Sequence, residues 1–267
     1  MLVLSATQWA NAQSAEMDPE SAGQEFLLRA DEYAGYQIDS TNRLSNRQFQ
    51  WRSFEGSIGT VTVDSKGLLK EYRTSEVSLE TSAEIFELAD ELFYTSFALD
   101  DGRRAITLIF DRVSKRMIEI ISRRPNAAEG SHRAQVRIIQ GQLGDELDEA
   151  KPLGTTDKMA GVRLVAHYSD EIAYEHIYLN PHRVTWHGVT GPEAGVADTE
   201  RYEAYELRKN IFLVSWSEKV LTTHMIFLFD FASNHEIGTI FGYEPEHDKS
   251  VLETIGAKTE ILQGPSH

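Results

Sequence analysis

The sequence predicts an all-β protein, two antiparallel β-barrels in tandem behind a short N-terminal helical segment. Three observations lead there. From about Asn46 onward the chain consists of short runs whose apolar residues recur at every second position, the period of a half-buried strand. The runs stop at a stretch rich in acids, proline and glycine, and then resume. The two halves also repeat one another. Residues 86–121 superpose without a gap on residues 205–240 at a constant offset of 119 positions, with Phe110 matching Phe229 and Asp111 matching Asp230.

In chain order, residues 1–40 form an extension in which Asp18-Pro19-Glu20 opens a helix, with proline in its first turn and Gly35 after its end. Residues 41–144 hold the runs RQFQWRSF, SIGTVTVD, GLLKEYRT, EIFEL, LFYTSFAL, RAITLIFD, KRMIEIIS and QVRIIQG, separated by turn signals such as Asp101-Gly102. Residues 145–160, with Pro152 and Gly154, read as a linker. Residues 161–267 restart the pattern with VRLVAHYS, YEHIYLN, RVTWHGV, RYEAYEL, IFLVSWSE, HMIFLFDF, EIGTIFGY and TEILQG. Each half closes on a similar strand, and a meander of about eight strands removes its edges by closing into a barrel whose interior holds one small ligand.

Composition narrows the function. The 267 residues carry 42 acids against 26 bases, a formal charge of -16 that repels phosphate backbones and anionic bilayers, so neither nucleic acid nor membrane is expected as a partner. No cysteine is present, which excludes disulfides, thiolate nucleophiles and cysteine-ligated metals. The opening MLVLSATQWANAQSA lacks the basic start and long apolar core of a secretory leader, so a cytoplasmic location is expected. A homodimer is a further possible assembly.

No phosphate-binding glycine loop, dinucleotide fingerprint, HExxH or GxSxG motif occurs, and no cofactor is expected. Seven of the nine histidines fall between His167 and His247. His176 and His224 with Glu218 are candidate ligands by type, but their spacing fits no standard pattern and no metal is assigned. The sharper signal is Ile211–Glu218, where Phe212, Val214, Trp216 and Glu218 share one face, so that a carboxylate ends a bulky apolar row. Such an acid is desolvated, its pKa rises, and it suits proton transfer near neutral pH. In the first repeat Leu99 stands where Glu218 stands in the second. Tyr174, His176 and Tyr178 alternate on one strand, and Trp186 and Gly188 on the next, as aromatic walls with a floor at Gly188.

The text AYEHIYLNPHRVTWHGVTGPEAGVADTERYEAYEL, with FLVSWSEK and GTIFGYE further on, resembles the C-terminal domain of the MoaF family, proteins named for molybdenum cofactor biosynthesis. That resemblance covers roughly residues 162–243 and implies calycin, lipocalin-like barrels. A second resemblance is to bacterial phenolic acid decarboxylases, small cofactor-free calycin barrels, through Tyr168, Tyr174-Glu175, Asn180, Trp186, Ala194-Gly195 and Ser215-Trp216-x-Glu218. It places that family's catalytic glutamate on Glu218 and one of its two carboxylate-gripping tyrosines on Tyr168. The other tyrosine falls on Ala166 and the gripping arginine on Val196, which leaves Arg201 to reach in from the next strand. The same register turns His224 inward beside Glu218. The resulting expectation is a cofactor-independent lyase, decarboxylase or isomerase acting on a hydrophobic or aromatic small molecule, with Glu218, Tyr168 and His224 catalytic. Tyr174, His176, Trp186, Trp216 and Arg201 would bind the substrate. The alternative is a non-catalytic carrier, with a molybdenum cofactor pterin as the cargo the family name suggests.

Overall fold

The computed structural model describes residues 30–99, 102–124, 133–144, 151–219, 222–244 and 249–265. Period-two alternation becomes strands almost throughout. Most of the expected N-terminal helix lies outside the described residues, and its described end is a 3₁₀ turn, Ala30–Ala34.

The first unit contains β1 (Gln48–Ser53), β2 (Ile58–Val63), β3 (Leu69–Thr74), β4 (Ser78–Ala83), β5 (Phe86–Ala89), β6 (Leu92–Leu99), β7 (Arg104–Asp111), β8 (Arg116–Arg123) and β9 (Gln135–Leu143). They form one nine-stranded sheet in the order β4-β3-β2-β1-β9-β8-β7-β6-β5, a barrel-like wall whose two end strands do not pair. Its inner face is filled by its own side chains, among them Trp51, Tyr72, Phe93, Phe97, Leu99 and Phe110. One polar pair sits among them, the Tyr72 hydroxyl donating to Glu119.

The second unit contains β10 (Arg163–His167), β11 (Ala173–Asn180), β12 (Arg183–Thr190), β13 (Ala197–Arg208), β14 (Ile211–Ser217), β15 (Thr222–Asp230), β16 (His235–Glu244) and β17 (Lys249–Gln263). Each pairs antiparallel with the next, and β17 returns to β10 through partners such as Ala166 and Thr259, which closes the barrel. Between the units, Leu153 is pinned to β9 by two bonds with the Gln140 side chain, N–H to Oε1 at 2.6 Å and Nε2 to the Leu153 carbonyl at 2.9 Å.

The repeat is visible in the register. Leu92 pairs with Asp111 in the first unit and Ile211 with Asp230 in the second. The residues that turn the chain between these strands also correspond. Glu91 and Asn210 both take φ near +60°, as do Lys115 and Asn234, so matching hairpins pass through the left-handed region at matching places.

The outer faces of β6–β8 and β14–β16 pack on one another. Tyr94, Ile109, Ile118 and Ile120 of the first unit form one buried cluster with Leu213, Ile226, Leu228 and Ile237 of the second. A lone barrel would leave these apolar faces in water, and burying them holds the halves together. Within that contact Tyr94 and Thr239 share a hydroxyl hydrogen bond of 2.6 Å, and Arg208 grips Asp111 through two nitrogens.

Candidate functional site

The interior of the second barrel is set by β14. Phe212, Val214 and Trp216 point into its core, and Glu218, just past the strand end, keeps the same parity. The Trp216 indole N–H donates to Glu218 Oε1 at 2.7 Å, and the Trp186 N–H, from β12, donates to Oε2 at 3.3 Å. Two indoles thus fix the carboxyl against the cavity wall. Burial, helped by the nearby charge of Glu200, pushes Glu218 up to about 8, while the indole donors pull the other way.

A second acid arrives by a different route. A side chain at Gly188 would have its Cβ 2.1 Å from the Glu193 carbonyl oxygen, because residues 191–195 fold back across the strand there. Gly191 at φ +100° and Gly195 at φ +87° turn this loop, which is tied down by a 2.8 Å bond from the Gly195 N–H to the Gly188 carbonyl. The expected floor at Gly188 is therefore this loop. It delivers Glu193 inward, where its Oε2 accepts from the Tyr174 hydroxyl at 2.7 Å and burial raises it to about 7. The Tyr174 hydroxyl also lies 2.8 Å from that of Tyr33.

Also inside the barrel, Tyr168 donates to Glu236 Oε1 at 2.8 Å. Burial raises Glu236 to about 8, and its Oε2, like the Tyr178 hydroxyl and His176 Nδ1, finds no hydrogen-bond partner among the described residues. Burial lowers His176 to about 4, so its ring is neutral at pH 7.

The cavity bounded by these groups has a volume of about 40 Å³, room for two or three waters. Tyr33, on the 3₁₀ turn ahead of the first sheet, forms part of its wall, 1% exposed, with its ring edge against Tyr168 at 5.4 Å between centroids. Beside Glu218, the carboxylates of Asp198 and Glu200 come within 4.8 Å of one another and of Glu218, a set of hard oxygens able to hold a cation. An ammonium is already there, Lys219 Nζ at 2.5 Å from Asp198 and 3.8 Å from Glu200.

Six of the residues expected at the site, Tyr168, Tyr174, His176, Trp186, Trp216 and Glu218, line this one cavity. Two do not. His224 pairs across the ladder with Ser217, and its neighbours Thr223 and Met225 are the ones that face inward. Strand parity therefore turns His224 outward, where Nδ1 meets Ser217 Oγ at 3.0 Å. Arg201 is exposed for the same reason, since Glu200 and Tyr202 take the inward positions of β13. Both line a separate groove with Arg133 and Tyr205. Glu193, Glu236 and Tyr33 were not expected inside. Glu236 was within reach, because it shares the face of Gly238 and Ile240 on β16. Glu193 lies in a loop and Tyr33 in the segment before the sheets, where no periodicity speaks.

A closed antiparallel barrel with an acid-and-aromatic interior cavity is the class of domain that this geometry defines. Residues 153–264 match the family model described as the MoaF C-terminal domain. It is 34% identical over 116 residues to Protein MoaF of Klebsiella aerogenes, a match that spans 43% of this chain and 44% of that protein. A crystal structure titled a putative beta-lactamase from Burkholderia vietnamiensis is similar at 12% identity and a TM-score of 0.34, covering 39% of this chain and 95% of that one. So slight a likeness bears on neither fold nor function. Among the described residues, no helix is long and apolar enough to cross a membrane.

Proposed function

We propose that the second barrel binds a small hydrophobic or aromatic molecule and that Glu218 exchanges a proton with it, as a cofactor-independent lyase or isomerase does. The observation that carries this reading is the Glu218 carboxyl held between two indole N–H groups on a cavity wall. A purely structural acid has little reason to be held on a cavity wall by two indoles while the neighbouring ammonium, Lys219, is engaged by Asp198 and Glu200. Its pKa of about 8 suits a group that both gives and takes a proton at neutral pH. Tyr168 and Glu236 behind it form a second hydroxyl–carboxyl pair that could hold a proton in reserve. Anything larger than a few waters needs more room, and the Tyr33 ring, which comes from outside the barrel strands, is the wall proposed to give way. A decarboxylase is the weaker form of the proposal, since a substrate carboxylate would face Glu218 and Glu193 with no arginine or lysine on the cavity wall.

The other reading is a carrier, with a pterin of molybdenum cofactor biosynthesis as cargo, favoured by the flat aromatic walls and the match of residues 153–264 to the MoaF C-terminal domain. Glu218→Gln separates the two. It keeps the shape and removes the titratable group, so turnover should fall about 10²-fold or more with ligand still bound. Unchanged turnover in Glu218→Gln would remove the carboxyl from the chemistry.

A further inference from the structure

We propose that the cavity of the second barrel takes an organic cation, an aromatic ammonium whose charge lies between Glu218 and Glu193 and whose ring lies against Trp186, Trp216 and Tyr174. This rests on the reading of the cavity as a small-molecule site and adds the chemical class of the molecule.

The first argument is charge. The side chains lining the cavity include two carboxyls and neither lysine nor arginine. The one imidazole among them, His176, is neutral. Lys219, the nearest ammonium, is engaged by Asp198 and Glu200 and is not among the lining residues. Arg201 and His224, which would have supplied positive character, face the outer groove. An anion entering this space would meet two acids and no counter-charge, and a cation would meet the reverse.

The second argument is hydrogen-bond direction. Glu218 accepts from Trp216 and Trp186, and Glu193 accepts from Tyr174. These donors engage both groups as acceptors; burial raises the two carboxyls to about 8 and 7, and an entering ammonium would draw both down and take them as carboxylates. A ligand that completes them must donate. An ammonium brings three N–H donors, an alcohol one and a carboxylate none.

The third argument is the wall. Two indoles and the rings of Tyr168 and Tyr174 surround the acids, and an aromatic enclosure with a carboxylate is the usual way to hold a desolvated ammonium. Tyr33 already shows how the space is used. Its ring lies among those of Tyr168 and Tyr174, and its hydroxyl reaches the Tyr174 hydroxyl that donates to Glu193. An aromatic ring with a donor at its end packs against the acids now, and an entering ligand takes its place.

The experiment is calorimetric titration of the full chain and of Tyr33→Ala with three probes of one shape, benzylamine, benzyl alcohol and benzoate. Benzylamine should bind about tenfold or more tighter than benzyl alcohol, a difference of about 1.4 kcal/mol, with benzoate weakest, and Tyr33→Ala should tighten benzylamine. Glu218→Gln and Glu193→Gln should each bring benzylamine to within a few-fold of benzyl alcohol, erasing most of the preference. Binding of benzyl alcohol or benzoate as tight as that of benzylamine would overturn the cation and leave the small-molecule site standing. No binding of any probe to either form would overturn both.

Discussion

Tyr33→Ala should move stability and affinity in opposite directions. The Tyr33 side chain is 1% exposed and comes from the 3₁₀ turn to line the cavity. Its removal adds roughly 100 Å³ to a cavity of about 40 Å³, and at roughly 24 cal/mol per Å³ that costs about 2–3 kcal/mol, including little recovery by collapse. The lost hydroxyl contact to Tyr174 adds about 1 kcal/mol, which water entering beside Glu193 in part restores. For a chain of this size the melting temperature should fall by roughly 5–10 °C, read by differential scanning calorimetry. Ligand affinity should rise, because the empty protein no longer has to expel its own ring. A displaceable ring gives this pair of signs. If affinity for every probe fell along with stability, Tyr33 would be a fixed wall of the site and the argument for its displacement would be refuted.

Glu236→Gln should flatten the pH dependence of stability. Burial raises the folded pKa of Glu236 to about 8 from the ordinary 4.5, so folding takes up a proton there, and its contribution is full below about 4.5 and is lost as pH rises through about 8. Glu218 and Glu193 act in the same sense, so thermal melts between pH 5 and 8 should show a falling trend that is shallower in the variant. Arg208→Met leaves Asp111, 1% exposed, without its guanidinium between the two units, and denaturant titration should show a loss of about 3–5 kcal/mol, much of it recovered when Asp111→Asn is added. Gly188→Ala should push the 191–195 loop off its strand and withdraw Glu193. Ligand affinity, measured by titration, should drop by about tenfold or more, with β12 still paired to β11 in amide exchange.

The two barrel-like all-β units were legible because period-two alternation demands sheets with one buried face, but alternation alone did not tell the closed second barrel from the nine-stranded sheet of the first unit, whose end strands do not pair. Glu218 and Trp216 were legible for the same reason, since parity along β14 puts both on the face of Phe212. His224 was misread where a register borrowed from another family overrode parity within the chain's own ladder. Trp216 lies opposite Met225, so Ser217 and His224 take the outer face together. Glu193 and Tyr33 reach the cavity by loop geometry, through a close backbone approach at Gly188 and a turn ahead of the first sheet. Such approaches depend on contacts between distant segments and leave no periodic trace.

The face shared by the two units has the form of an isologous dimer folded into one chain, since matching strands meet through matching sides. Two copies of one gene product must both carry whatever residues the active copy needs. Fused copies are released from that demand, while the tether keeps the partner at high effective concentration however dilute the protein becomes. Leu99 in place of an acid, packed among Phe93, Phe97 and Phe110, is what such release permits. The first unit has become the permanent subunit of the second. A second barrel produced alone would present Ile211, Leu213, Ile226, Leu228 and Ile237 as one bare stripe and would seek another copy of itself to cover it.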